Sequence, residues 1–187
     1  MHSASIRQMA FAAGIFSVWQ QGPKPHCGVL RAGDRIMACA LGRNGITQTG
    51  YEGDGATPAG IFALRRVLYR ADRAAAPDTA LPCLPIGPRD GWCDAPAHPA
   101  YNRPVRLPFA ASAERLWRQD ALYDQVVVLG HNDDPVVPGR GSAIFLHVAR
   151  PDYGPTLGCV ALAPGDLRAV LRLAPRGAAL QIAQGRG

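Results

Sequence analysis

A chain punctuated by 17 prolines and 21 glycines in 187 residues has little room for long regular segments. Proline fixes φ and removes an amide donor, and glycine weakens helix and strand interiors, so the two together cut the chain into short pieces. The apolar pieces between them read as strands: RIMACALG (35–42), IFALRRVLYR (61–70), VVVLG (126–130) and, most clearly, AIFLHVA (143–149). Short helices are expected at 111–119 (ASAERLWRQ) and at 164–173, where Pro164 suits a first helical position and Leu167, Val170, Leu171 and Ala174 recur at i, i+3, i+4 and i+7. The fold class expected is α+β and β-rich.

The section 71–108 carries eight prolines and reads as a long irregular excursion, of the kind that forms a wall or lid of a site. Its cluster of Trp92, Tyr101, Asn102 and Arg103 sets aromatics beside an arginine, a combination suited to a ligand with an apolar stem and carboxylates. The bland alternative is that Trp92 and Tyr101 only pin the loop to the core. A hydrophobic content of 48% fits one globular domain with a real core. The net charge of +6 comes from scattered arginines, with Lys24 the only lysine, and no compact basic block or aromatic-interleaved stripe points to nucleic acid.

No run of 18 apolar residues is present, so no transmembrane segment is expected. The stretch MHSASIRQMAFAAGIFSVWQQ reads either as a weak signal-like segment without a convincing cleavage site or, preferably, as leading into a first strand, IFSVWQ. Five cysteines, Cys27, Cys39, Cys83, Cys93 and Cys159, include no CxxC pair, which argues against a zinc knuckle and a full disulfide framework. A Cys83–Cys93 bridge is open only in an oxidising compartment.

Chemistry gathers in AIFLHVARPDYGPTLGCVAL, which ends a strand on His147, turns through Pro151, Gly154 and Pro155, and delivers Cys159 twelve residues later. A histidine on a rigid strand beside a cysteine-bearing loop supplies the base that a nucleophilic thiol needs. Gly158, without a side chain, lets its own amide and that of Cys159 point together at a developing oxyanion. A buried structural cysteine and a satisfied strand histidine are the competing reading of the pair. The neighbouring stretch GHNDDPVVPGRGSAIFLH sets His131, Asn132, Asp133 and Asp134 at a strand end, followed by Arg140, a polar density typical of a site rim and also good turn chemistry.

TPAGIF (57–62), preceded by EGDGA and followed by LHVARPDYGPTLGCVAL, resembles the YkuD-type L,D-transpeptidase family. With CALGRNGI (39–46) and the 130–147 stretch, the resemblance spans about residues 35–173. It implies a single-domain mixed β-sandwich or barrel with a few short helices, with 35–187 as the catalytic domain and 1–34 as an N-terminal segment. It also implies a cofactor-free enzyme of the periplasm or cell envelope, monomeric, that acts on peptidoglycan stem tetrapeptides through a cysteine thioester, for crosslinking or L,D-carboxypeptidase trimming. By position Cys159 is the nucleophile, His147 the base and the Val148 carbonyl the group that orients the imidazole, with Gly158 and Cys159 amides as oxyanion donors. Thr156 takes the place often held by serine. His131, Asn132, Asp133, Arg140, Thr156, Trp92, Tyr101 and Arg103 are the substrate-side candidates.

Two positions depart from the family pattern. Ala161 stands where arginine is common, so a substrate-carboxylate contact falls to Arg140, Arg150 or Arg168 or is missing, and His131 stands where close relatives carry tyrosine. Three other readings are weighed against this one. A sortase-like transpeptidase shares a TLxTC-like loop and a downstream arginine, but its histidine lies much farther upstream. A catalytically silent wall-binding domain would keep the fold. A metal set of His131, His147, Cys159 and Asp133 has suitable ligand types without motif spacing.

Overall fold

The computed structural model describes residues 14–185. Strands β1 (Ile15–Gln20), β2 (Cys27–Ala32) and β3 (Arg35–Ala40) form an antiparallel meander, and β4 (Ile46–Thr47) pairs in parallel with β5 (Thr57–Pro58). The long β6 (Gly60–Tyr69) leads into β7 (Cys83–Pro85), β8 (Asp90–Cys93), β9 (Pro104–Arg106) and β10 (Ala113–Arg115). The remainder is β11 (Gln125–Leu129), β12 (Phe145–Val148), β13 (Val160–Leu162), helix α1 (Pro164–Leu173) and β14 (Ala179–Ala183).

One sheet runs β11-β12-β13-β3-β2-β1-β14-β6, and β6 pairs back onto β11, closing eight strands into a barrel to which β7 adds beside β6. A separate three-stranded antiparallel sheet, β10-β8-β9, lies over one face of it. This is the β-rich architecture the sequence implies.

Strands β11 and β12 are buried at every position, so both faces of each are covered. Alternation divides them: Val127, Leu129, Leu146 and Val148 join the main core with Phe16, Leu30, Leu162 and Leu180. The opposite register sends Val126, Val128 and Phe145 into a second cluster with Trp92, Leu116, Tyr123 and Cys159. His147, two residues after Phe145, follows that second register and is only 6% exposed. Helix α1 starts on Pro164, carries Asp166 in its first turn and Arg172 in its last, and buries Leu167, Val170 and Leu171 in the main core. Each such side chain contributes about 1.5–3 kcal/mol relative to exposure.

Several expectations are corrected. ASAERLWRQ is not a helix: Ala113–Arg115 form β10, with Glu114 opposite Trp92, and the Leu116 amide donates to Asp90 O. Long-range pairing satisfies these backbone groups in place of helical bonds and buries Leu116, overriding local preference. One helix is therefore present among the described residues where two were expected. The AIFLHVA strand is trimmed to Phe145–Val148 because Ala143 has φ +52°, outside extended geometry. The 71–108 excursion is not wholly irregular, since it contributes β7, β8 and β9. Cys83 and Cys93 are free thiols. IFSVWQ forms β1, while residues 1–13 of the signal-like stretch lie outside the described residues.

Candidate active site

The TPAG segment and the cysteine loop are joined backbone to backbone. Buried Thr57 accepts the Gly42 amide on Oγ1 at 2.8 Å, and a side chain on Gly42 would meet Gly55 O at 2.5 Å. Gly42 bridges Thr156, whose amide donates to Leu41 O at 2.9 Å and whose carbonyl accepts from Arg43 at 3.0 Å. Thr156 Oγ1 then donates to Cys159 O at 2.7 Å and accepts the Gly158 amide at 3.1 Å. Gly158 has φ +141°, and a Cβ there would lie 3.0 Å from Ala56 O, so only glycine lets the loop approach the 55–58 segment. The two motifs separated by almost a hundred residues thus form one contiguous unit. Among the described residues the Cys159 amide finds no acceptor, whereas that of Gly158 is held by Thr156.

Parallel pairing sets His147 on β12 opposite Ala161 on β13, so the Cys159 loop feeds into the strand beside the histidine. His147 Nδ1 donates to Val148 O at 2.8 Å, which fixes the tautomer and leaves Nε2 as the ring's acceptor. Cys159 Sγ accepts the Phe145 amide at 3.4 Å and donates to Ala143 O at 3.3 Å. Burial pushes the Cys159 thiol up to about 12, aided by the charge of Glu114, and pushes His147 down to about 4. Both side chains are therefore neutral at rest, and the Cys159 thiol is directed to Ala143 O rather than to the imidazole.

Asn102 is a hub. Its Oδ1 accepts Trp92 Nε1 at 2.9 Å and the Ala143 amide at 3.1 Å, while Nδ2 donates to His131 O at 3.0 Å and Asn132 O at 2.7 Å. All four of its hydrogen-bonding positions are used, one of them on the amide of Ala143, the residue whose carbonyl receives the Cys159 thiol. Trp92 and Tyr101 are buried; Trp92 packs edge-on to Phe145 at 5.2 Å, and the Tyr101 hydroxyl donates to Glu52, which also accepts from Ser142 at 2.7 Å. Asn132 closes the 132–141 turn through Val137 and Gly141. Asp133 is paired in a fork with Arg65, and its carbonyl accepts Arg103 at 2.8 Å. The metal set does not assemble, since Asp133 is taken by Arg65 and no three such side chains converge among the described residues.

His131 and Arg140 line a small open cleft with Tyr51, Glu52, Asp54 and Leu157. Leu157 and Tyr51 are 76% and 67% exposed, apolar lips on an otherwise charged opening that reaches Ile144, against which Gly158 packs. Burial lowers the proton affinity of His131, whose Nε2 lies 3.1 Å from Arg140 O. Arg150 and Arg168 are exposed and do not line the cleft. Sequence reasoning missed Glu52, Glu114 and Tyr123. Tyr123 stands edge-on to His147 at 5.2 Å, and its hydroxyl donates to Glu114.

The family model for the L,D-transpeptidase catalytic domain (YkuD) matches residues 26–182. The chain belongs to the YkuD L,D-transpeptidase family. Comparison with curated proteins and with solved structures gives no significant match. Membership makes this an L,D-transpeptidase-type enzyme domain of the peptidoglycan-directed class, which suggests the cell envelope. Among the described residues no helix is long and apolar enough to cross a membrane.

Proposed function

We propose that this L,D-transpeptidase acts on peptidoglycan stem tetrapeptides through a thioester on Cys159. His147 Nε2 takes the Sγ proton as sulfur attacks the carbonyl carbon of the third stem residue, and the carbonyl electron pair moves to oxygen beside the Cys159 amide, the Gly158 amide being engaged by Thr156 Oγ1. The oxyanion collapses, the carbon–nitrogen bond to the terminal D-alanine breaks, and the departing amine takes the proton from His147. An amine of a neighbouring stem or a water then attacks the thioester and restores the thiol, giving a crosslink or a trimmed peptide. Because thiol and imidazole are both neutral at rest, proton transfer accompanies attack.

The observation that carries this reading is the bond from His147 Nδ1 to Val148 O, which leaves Nε2 as a fixed acceptor on the strand beside the cysteine loop. With Ala161 in place of an arginine, Arg140 in the cleft is the proposed contact for a substrate carboxylate. Incubation with purified muropeptide tetrapeptides followed by mass spectrometry tests it: release of D-alanine with a crosslinked or tripeptide product is expected, and no product from folded protein would overturn it.

One observation favours a second reading. Cys159 is only 8% exposed, as expected of a wall-binding domain that keeps the fold without turnover. Such a domain would sediment with peptidoglycan while releasing no D-alanine.

A further inference from the structure

Among the described residues Cys159 Sγ makes two hydrogen bonds, accepting the Phe145 amide at 3.4 Å and donating to Ala143 O at 3.3 Å, and none to the His147 imidazole. A nucleophilic thiol gives its proton to its base, so a thiol that gives it to a carbonyl is turned away from the reaction. A carbonyl oxygen at that place also favours S–H over the thiolate, because it accepts from the first and repels the second.

Local preference does not put this carbonyl where it stands. Ala143 has φ +52°, a left-handed conformation disfavoured for a residue with a Cβ. Asn102 holds it there: its Oδ1 accepts the Ala143 amide at 3.1 Å, while its Nδ2 is tied to His131 O and Asn132 O. Asn102 is itself buried, and its amide donates to Cys93 O at 2.9 Å in the covering sheet. The same Oδ1 accepts Trp92 Nε1, and the Trp92 ring packs edge-on at 5.2 Å against Phe145, whose amide is the second partner of Sγ. Both backbone groups on the sulfur are therefore held from one side chain, Ala143 directly and Phe145 through the indole.

We propose that Asn102 is a positioning residue that parks the nucleophile: by fixing Ala143 it aims a carbonyl at the Cys159 thiol and keeps the S–H bond pointed away from His147 at rest. This rests on the transpeptidase reading for its purpose, while its test needs no peptidoglycan, so the two can fail separately. Attack then requires rotation about the Cα–Cβ bond of Cys159, which breaks the bond to Ala143 O and brings the proton to His147 Nε2. Ser142 and Ile144, the neighbours of Ala143 on either side, line the cleft, so a peptide seated there touches the backbone that holds the thiol. Without a peptide the parked thiol has no base, which slows its reaction with small electrophiles.

The test is alkylation by iodoacetamide at neutral pH, in which an S–C bond forms and iodide and the thiol proton leave, followed cysteine by cysteine by peptide mass spectrometry. Asn102→Ala removes the acceptor for the Ala143 amide and should raise the Cys159 rate about tenfold, the scale of one hydrogen bond. Cys93, fully buried beside Asn102, reports any general loosening and should stay unlabelled. The rise should also need the imidazole and disappear in Asn102→Ala/His147→Gln. An unchanged Cys159 rate in Asn102→Ala, a rise that persists without His147, or labelling of Cys93 in step with Cys159 overturns the proposal. Should Asn102→Ala fail to fold, the S–H stretching band decides, taken as the difference between the Raman spectra of wild type and Cys159→Ala. It should lie below that of an alkanethiol in an apolar solvent, and stay there in Asn102→Asp, which keeps an acceptor facing the Ala143 amide. A band at the free-thiol position in either protein refutes the assignment.

Discussion

The two faces of β12 are built from alternate residues of one four-residue strand, yet they solve opposite problems. Leu146 and Val148 enter a core of apolar side chains with one buried thiol, Cys39, while Phe145 and His147 enter a smaller cluster that gathers a thiol, a phenol and an imidazole and is bordered by Glu114. The first face gains stability from area removed from water; the second spends burial on holding ionisable groups in neutral forms. The difference teaches that the barrel carries the stability and the covering sheet sets the chemistry, so the two should respond differently to substitution.

The sharpest break is Cys159→Ala. Muropeptide turnover and acyl-enzyme formation, read by mass spectrometry, should vanish, while the melting temperature falls only modestly because a single small side chain is removed. On the other face, Leu146→Ala should lower unfolding free energy by about 2–5 kcal/mol in urea titration, through lost burial and a cavity.

His147→Gln should slow acyl transfer about 10²-fold, with residual activity rising only at pH values well above the ordinary thiol range, since Cys159 ionises near 12. The same variant probes stability. The folded imidazole protonates near 4 and an unfolded one near 6.5, so the unfolded state binds more protons as pH falls and wild type loses stability from about pH 6.5 down to about 4. That loss, on the order of 3 kcal/mol, should shrink in His147→Gln. Smallest of all, Arg103→Ala should change stability by under about 1 kcal/mol, since its guanidinium is exposed. Weaker donor binding in that variant would make the 71–108 excursion a wall of the cleft, and unchanged binding would leave it as scaffold.

Much of the barrel was legible because its signals are local. Pro164 with the 3.6-residue spacing of Leu167, Val170 and Leu171 marked α1 to the residue, and AIFLHVA marked β12 apart from its ends. Family membership was legible from TPAGIF and TLGC because their spacing reflects the backbone packing of Gly42, Thr57 and Gly158. The covering sheet was not. β10 is a strand only because β8, some twenty residues upstream, pairs with it, and no local pattern encodes that partner. Glu114 was lost with it, as an anonymous helix-face residue, and Tyr123 lay in a turn without periodicity. Trp92 and Tyr101 drew notice for their residue types, but their burial depended on the Asn102 hub, which ties together segments forty residues apart.

A thiol that is covered and kept protonated is also durable. Peroxide attacks thiolates, and oxidation proceeds from sulfenic acid to states that no ordinary reductant reverses. Cys159 shows neither the ionisation nor the exposure that such damage requires, whereas Cys27 and Cys83 are half-buried. Under oxidative stress these two sulfurs should be consumed first, so the protein can accumulate chemical scars at its periphery while its most consequential sulfur stays reduced.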